Sequence, residues 1–265
     1  MRHYLGFIFF LSTVILHAQT KTQWAIWKER EALGESDTSF YKKDFKDKYC
    51  RYNFSKIWTQ TENYNVLGFI GNNYQRLRIK FISVVKDSAH PDTYFIIGKS
   101  MVKDTVRSFK GTITITNIKL YKDIQYEDAN KYSKASVTKN GVAFGSYYFR
   151  EDSTQTRTGL FKGSFASCWF INNHGKLKYD DNYLGSDSYC NNQFAGIWQS
   201  YTSQLIETCN WGDYRIPFSG EFNWGAGEFT PNTKYLKYGW ESHKSNFEND
   251  YEVKKALKDA KKWWK

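Results

Sequence analysis

Strict alternation of apolar and charged side chains is the feature that most constrains how this chain folds. In the segment 74–85, apolar residues take every second position and basic residues take the positions between them: Leu77, Ile79 and Phe81 against Arg76, Arg78 and Lys80. Successive side chains of a β-strand point to opposite faces, so this period of two predicts a strand with one buried face and one wet face.

Further segments with strand character follow one another along the chain. They are bounded by polar turns and loops and lie at 66–71, 93–101, 106–118, 141–151, 159–171, 176–181, 193–201 and 204–209. Consecutive strands joined by short turns form an antiparallel meander. We therefore predict a mainly β fold in which the meander forms a β-barrel, with a sandwich as the alternative, and with short helices at the N-terminal and C-terminal ends.

The first 18 residues have the pattern of a secretory signal peptide. A basic start at Arg2 precedes an apolar run over 4–16, and the small residue Ala18 provides a cleavage site. The apolar run is shorter than the roughly 20 residues that a membrane-spanning helix needs. We predict a secreted or periplasmic protein in which residues 19–265 form a single β-rich domain.

The formal net charge of +11 is unevenly distributed along the chain. Lysines are concentrated in the tail 253–265, and the remaining body is only mildly basic. A nucleic-acid groove needs clustered Lys and Arg side chains interleaved with stacking aromatic rings. We therefore predict no nucleic-acid partner.

The tail itself predicts a basic amphipathic helix over about 246–264. Ser245 with Glu248, and Asn249 with Glu252, match the capping-box pattern that starts a helix. Apolar residues then recur at helical spacing, at Val253, Ala256, Leu257, Ala260, Trp263 and Trp264. Such a helix either lies on an anionic membrane surface or packs on the protein's own sheet. The two alanines in its apolar stripe favour packing on the sheet.

Four cysteines follow the predicted signal peptide: Cys50, Cys168, Cys190 and Cys209. An even number of cysteines in an oxidising compartment predicts disulfide bonds, with three connectivities open. If 193–201 and 204–209 form a hairpin, Cys209 faces Gly196 and lies roughly 20 Å from Cys190, beyond the reach of a disulfide. The pairing of Cys190 with Cys209 is therefore disfavoured.

No metal site and no cofactor is predicted from the spacing of ligand residues. The sequence has no CxxC pair and no paired histidines of the kind that bind zinc. The polar group Asp180, Asp181, Asn182 and Asp187 lacks the central glycine and terminal glutamate of an EF-hand loop. We expect that group to form a polar connection between strands.

A Phe-x-Gly pattern recurs at 109–111, 161–163, 194–196 and 218–220. The spacing between copies is not constant, so the pattern does not predict a solenoid or a propeller. An inward aromatic ring followed by a glycine on the same face is typical of a tightly curved sheet, because the glycine leaves room for bending and for a neighbouring ring.

Short glycine-aromatic motifs carry a resemblance to a known architecture. GSYYF at 145–149, GLFKG at 159–163 and GIW at 196–198 resemble the strands of calycin-type barrels, the group of the lipocalins and avidin-like proteins. The whole chain, most clearly NNQFAGIW at 191–198 and CNWGDYRIP at 209–217, resembles a family of uncharacterised secreted bacterial proteins. The resemblance implies a β-barrel and assigns no binding residue.

The stretch 190–240 concentrates tryptophans among glycines, asparagines and acids. Exposed aromatic rings on loops held by a rigid sheet commonly bind sugars or apolar ligands. The candidate ligand-binding residues are Trp211, Tyr214, Trp224, Tyr238, Trp240, Glu221 and Glu228. We expect Trp198 to plug the barrel end as a core residue, and Trp224 is a candidate for that role as well.

Three functions are weighed for this stretch. The first is a secreted, non-catalytic binding protein that recognises a glycan or a small amphiphilic ligand through its aromatic loops. The alternative is a glycoside hydrolase that uses Glu221 and Glu228, with Asp213 nearby, because two acids beside sugar-stacking rings are what such an enzyme needs. The third is a structural or adhesive envelope protein. A partner membrane surface is a further option through the C-terminal helix and is not favoured.

Overall fold

The computed structural model describes residues 26, 39–123, 136–243 and 262–265 of the chain. Its strands are β1 (Val66–Ile70), β2 (Gln75–Lys86), β3 (Thr93–Val102), β4 (Thr105–Leu120), β5 (Val137–Glu151), β6 (Gly159–Asn172), β7 (Leu177–Tyr179), β8 (Asn191–Ser200) and β9 (Ile206–Asp213). Every predicted strand segment coincides with one of these strands. The prediction of a mainly β, antiparallel fold is confirmed.

Eight of the strands close into an antiparallel barrel. Strands β1 to β6 pair in chain order, β6 pairs with β8, β8 with β9, and β9 with β1, which closes the cylinder. The short strand β7 occupies the edge of β6 beyond the point where β8 ends its pairing. In the predicted hairpin of β8 and β9, Gly196 lies opposite Cys209 as expected. The architecture is therefore a barrel and not a sandwich.

The described helices are short. The α-helix α1 (Lys46–Tyr49) precedes the barrel, and short 3-10 helices lie at Asn63–Asn65, Gly220–Phe222, Thr233–Tyr238 and Glu241–His243. The predicted signal peptide lies outside the described residues, as does most of the predicted C-terminal helix. No helix in the described part of the chain is long and apolar enough to cross a membrane.

Aromatic rings fill the interior of the barrel. Trp211 stacks on Phe194 with ring centroids 4.9 Å apart and meets Tyr147 edge-on at 4.9 Å. Strand β6 contributes four large residues on one face to this core: Phe161, Phe165, Trp169 and Ile171. A barrel of eight strands is just wide enough for side chains to fill it. Its described interior is accordingly packed with protein side chains.

Glycines on the inner face make room for these rings. A Cβ atom at Gly163 or Gly196 would lie 2.7 or 2.6 Å from the Tyr147 hydroxyl, so a side chain at either position would collide with that oxygen. The predicted role of the Phe-x-Gly pattern is thus confirmed for the copies on β6 and β8. The fourth copy differs, because Phe218 is exposed, has a positive φ of 54° and lies outside the strands.

Both ends of the barrel are closed by protein groups. At one end the Trp58 indole donates a buried hydrogen bond to Ser167 Oγ on β6, at 3.0 Å. At the other end the buried Glu151 carboxylate accepts hydrogen bonds from Ser100 Oγ at 2.7 Å and from the Trp198 indole at 2.9 Å. The prediction that Trp198 plugs a barrel end is confirmed.

A second apolar layer covers the outer face of β1. Leu67 and Phe69 point outward there and pack with Phe222 and Trp240 from the stretch that follows β9. The Arg76 guanidinium lies 4.9 Å from the Trp240 ring centroid. This layer fixes the C-terminal stretch against the wall of the barrel.

The prediction of disulfide bonds is wrong. The four cysteines are buried thiols that form no disulfide: Cys50, Cys168, Cys190 and Cys209. The strand pleat gives one reason, since Cys209 on β9 points into the barrel core whereas Cys168 on β6 belongs to an apolar cluster on the outer side of the wall. Two cysteines on opposite faces of a sheet cannot bring their sulfur atoms into bonding distance.

Candidate functional site

The barrel wall has a gap between β1 and β2, which we call the window. In the described part of the chain β1 pairs with β2 only near the turn between them, at Phe69 with Arg76 and Ile70 with Gln75. Toward Val66, β1 keeps its pairing with β9 but not with β2. A cavity of about 30 Å³ lies at this gap, with Val66 on one side and Ile79 on the other.

The lining of the cavity is aromatic with a few polar groups. The rings come from Trp58, Phe81, Phe194 and Trp211. The polar side chains come from Thr59, Thr61, Lys80, Asn192 and Asp213. An apolar, concave site with a small number of converging polar groups is the usual form of a small-molecule site. The window is therefore the candidate functional site of the described chain.

Asp213, the last residue of β9, is the buried carboxyl group of the window. Its Oδ2 atom accepts three hydrogen bonds, from Thr61 Oγ1 at 2.7 Å, from Tyr179 OH at 3.0 Å and from Asn192 Nδ2 at 2.7 Å. Its Oδ1 atom accepts none from the described residues. Burial raises the pKa of Asp213 to about 7, although the three donors act in the opposite direction. The group therefore changes its charge near neutral pH.

A bulge at the start of β8 brings Asn192 to this carboxyl group. The register between β8 and β9 shifts after Asn191, and Asn192 has a left-handed φ of 45°, a conformation that asparagine tolerates better than most residues. The side chain of Asn191 holds the bulge, because its Oδ1 accepts from the Cys168 N–H and its Nδ2 donates to the Cys168 carbonyl.

The amide of Asn192 is only half satisfied. Its Nδ2 donates to the Ile57 carbonyl and to Asp213 Oδ2, each at 2.7 Å. Both partners are acceptors, so they fix which end of the amide is the nitrogen. The opposite atom, Oδ1, is buried and has no hydrogen-bond partner. Because both N–H bonds of the amide are already donated, this buried oxygen keeps the capacity to accept a hydrogen bond.

Three tyrosines lie near the buried Asp213 carboxyl group. Tyr179 on β7, Tyr189 before β8 and Tyr214 after β9 all have pKa values raised, first by burial and also by the charge of Asp213. They are therefore neutral hydroxyl groups at physiological pH. The cation at the window is Lys80 on β2, whose ammonium lies 5.1 Å from the ring centroid of Trp264.

The structure does not gather the predicted ligand-binding residues into one site. Trp211 is 2% exposed and forms part of the inner wall of the window cavity, whereas Trp240 is 0% exposed in the layer outside β1. Tyr214 and Tyr238 are half-buried. Of the tryptophans in the predicted set, only Trp211 belongs to the window.

Trp224 is on the surface, so its suggested role as a barrel plug is wrong. It is 70% exposed, at the start of a loop that returns at Pro231. Arg215 stabilises this loop, because its guanidinium donates hydrogen bonds to the carbonyl groups of Gly225 at 2.7 Å and Gly227 at 3.0 Å. The fold thus presents this indole to solvent on a fixed support.

The acids of the predicted hydrolase pair are both exposed. Glu221 accepts hydrogen bonds from Tyr235 OH at 2.6 Å and from Lys234 Nζ at 2.9 Å, and these bonds lower its pKa. A glycosidase needs one carboxyl group with a raised pKa to protonate the leaving oxygen. The environment of Glu221 does not meet this requirement. Glu228 lies exposed outside the window, whereas Asp213 lies in it.

The residues that complete the window were not found from the sequence. Thr61 and Tyr179 carried no signal, because each is a single hydroxyl residue far from Asp213 in the chain. The Asn191-Asn192 pair before the Phe-x-Gly motif was a usable signal, since asparagines favour bulges and left-handed backbone. In the described part of the chain, no group of three His, Cys, Asp or Glu side chains is arranged to hold a metal ion.

Comparison with known proteins finds no relative of this chain. No protein-family model, no curated protein and no solved structure matches the chain. The resemblance to calycin-type strands and to secreted bacterial proteins therefore stays a prediction.

Proposed function

We propose that this chain is a non-catalytic binding protein that takes the polar end group of a small amphiphilic ligand into the window. The observation that carries this proposal is the Asp213 carboxyl group, which is buried in an aromatic-lined cavity with Oδ2 saturated and Oδ1 left without a donor. A site with these properties is suited to hold one polar group of a ligand in a fixed orientation.

The size of the cavity limits what enters it. A volume of about 30 Å³ corresponds to roughly two water molecules. Only an end group of a ligand fits inside, and the remainder then lies outside the wall against the rim of the window. This favours an elongated amphiphile with a compact polar head over a bulky ligand enclosed by the barrel.

The polar lining supports binding better than catalysis. Glycoside hydrolysis by carboxyl groups uses a pair of them on either side of the scissile bond. Asp213 is the single carboxyl group among the described residues of the cavity lining, and its described neighbours are hydroxyl, amide and aromatic groups together with Lys80. We therefore assign the carboxyl group an orienting role toward a bound ligand.

The test uses the full chain with two matched tryptophan substitutions. Val66→Trp fills the mouth of the window, whereas Val85→Trp adds the same side chain on an exposed position of β2. Alkyl compounds with different head groups are titrated while the indole N–H signals of Trp58 and Trp211 are followed by NMR. We expect at least one head group to shift both signals in the wild type and in Val85→Trp, but not in Val66→Trp. Shifts that persist in Val66→Trp, or no shift with any head group, would contradict the proposal.

Trp224 supports a second candidate function, the binding of a glycan on the outer surface. An exposed indole on a loop braced by Arg215 is a suitable platform for stacking a sugar ring. The test is a glycan array with the wild type, Trp224→Ala and the control Phe218→Ala, which removes another exposed ring. Retention of all glycan signals in Trp224→Ala would exclude this surface.

A further inference from the structure

We infer that the window binds a primary ammonium group, whose N–H bonds are donated to Asp213 Oδ1 and Asn192 Oδ1. This inference rests on the proposed function and names the chemical class of its ligand. The ligand is an alkylamine-type amphiphile, with the ammonium group inside the cavity and the alkyl part at the rim of the window.

The hydrogen-bonding capacity that Asp213 and Asn192 leave unused at the cavity is of the acceptor type. Asn192 is 4% exposed and its buried Oδ1 has no partner, because the nitrogen of the same amide is already used by two acceptors. Asp213 is also 4% exposed, and its Oδ1 receives no donor from the described residues. A ligand that completes the site must therefore bring hydrogen-bond donors, and it needs more than one.

Among common head groups, a primary ammonium meets this need best. It carries three N–H donors and no acceptor, whereas a hydroxyl group carries one donor and a carboxylate carries none. An ionised Asp213 attracts the ammonium and repels a carboxylate. The aromatic rings of Trp58, Phe81 and Trp211 form the remaining wall of the cavity.

Lys80 does not take the place of such a ligand. It lines the cavity and lowers the pKa of Asp213 only as the last of several causes. Its ammonium is held at the ring of Trp264, 5.1 Å from the centroid, and it forms no ion pair with Asp213 in the described structure. The carboxyl group therefore keeps an open position for a cation from outside.

The inference makes binding depend on pH in a definite direction. Among the described residues, the titratable and charged groups that face Asp213 are Tyr179, Tyr189, Tyr214 and Lys80, and burial raises the pKa of each tyrosine. Protonated Asp213 does not attract an ammonium, and ionised Asp213 does. With a pKa of about 7, the affinity for an alkylammonium should rise about tenfold between pH 6 and pH 8.

The experiment compares hexylammonium, hexanol and hexanoate on the full chain, with the indole signals of Trp58 and Trp211 as readout at pH 6 and pH 8. We expect hexylammonium to bind at least tenfold more tightly than the other two compounds at pH 8, and its affinity to fall at pH 6. Tighter binding of hexanol or hexanoate at the same signals would overturn the ammonium assignment and leave the proposed function standing. Binding of none of the three at these signals would overturn both.

Two neutralising substitutions separate the window from general charge effects. Asp213→Asn removes the carboxylate of the window, and Glu221→Gln removes a carboxylate on the exposed outer surface. We expect Asp213→Asn to abolish the pH dependence and to weaken hexylammonium binding at least tenfold, while Glu221→Gln behaves as the wild type. An equal loss in both variants would overturn the inference. The comparison of head groups needs only the wild type, so it decides the question even if Asp213→Asn does not fold.

Discussion

At the scale of single residues, Asp213 carries a cost that depends on pH. Its pKa is about 7 in the folded protein against an ordinary value of 3.8, because burial disfavours the charged form. Between these values the folded state binds more protons than the unfolded state, so the free energy of unfolding falls as pH rises from about 4 to 7. The loss is complete above pH 7 and is on the order of 4 kcal/mol, since one pKa unit corresponds to about 1.36 kcal/mol.

Asp213→Asn should therefore flatten this dependence. Because asparagine stays neutral, we expect the free energy of unfolding of the variant not to fall between pH 5 and pH 8. At pH 8 the variant should be at least as stable as the wild type. Urea unfolding at constant ionic strength measures it. Glu221→Gln is the control, since the lowered pKa of Glu221 keeps its titration below this range. An unchanged pH dependence in Asp213→Asn would show that this carboxyl group is not buried as described.

Truncation to alanine should destabilise the protein at one tryptophan of the aromatic stretch and have little effect at another. Trp240 is fully buried and contacts Phe222 and Arg76, so Trp240→Ala should lower the free energy of unfolding by about 3–5 kcal/mol. Trp224 is 70% exposed, so Trp224→Ala should change it by less than about 0.5 kcal/mol. Denaturant titration measures both values. Similar losses in the two variants would contradict the assignment of Trp240 to the core and Trp224 to the surface.

The residues of the window could be predicted from the sequence only in part. The sequence indicates Asp213 only as an acid near the candidate pair Glu221 and Glu228. Its three donors come from Thr61, Tyr179 and Asn192, at separations of 152, 34 and 21 residues along the chain. No local spacing rule relates such positions, because closure of the barrel is what brings them together.

At the scale of strands, sequence and structure agree closely. Alternation predicts the strands because one face of each is buried in the barrel, and a shift of one residue would expose every ring. The bulge at Asn192 was not predicted, since a single extra residue leaves the alternation on both sides almost intact. That bulge nevertheless decides where the Asn192 amide points.

The paired glycines of β6 and β8 provide a prediction at this scale. In Gly196→Ala the new Cβ atom would lie 2.2 Å from the Lys162 carbonyl oxygen and 2.6 Å from the Tyr147 hydroxyl. Because the carbonyl cannot move without breaking the sheet, we expect a loss of about 3 kcal/mol or more in the free energy of unfolding. Gly185→Ala is the matched control, since no atom lies within 4 Å of its Cβ position. Equal thermal stability of the two variants would be incompatible with this packing.

At the scale of the whole molecule, closure of the barrel explains both the success and the failure of the sequence analysis. A mainly β barrel follows from the number and order of the strands. Disulfide bonds were inferred from an even cysteine count, which contains no information about the face on which each cysteine lies. In the closed barrel Cys168 and Cys209 are separated by the wall itself.

The state of the cysteines is directly measurable. Burial raises the pKa of Cys50 to about 11 and that of Cys209 well above its usual range, so neither is a reactive thiolate near neutral pH. We expect little alkylation of the native protein and four alkyl groups after denaturation without a reductant, as read by intact mass. Fewer than four groups after denaturation would show that a disulfide exists.

The central claim is that the window holds a buried carboxyl group that ionises near neutral pH and receives an ammonium group. The most direct measurement is a ¹³C NMR titration of the Asp213 carboxyl carbon, assigned by its absence in Asp213→Asn, with and without hexylammonium. We predict a midpoint near pH 7 in the free protein and a lower midpoint with the ligand, because a bound cation favours the ionised form. A midpoint near the ordinary value of 3.8 that the ligand does not change would contradict the claim.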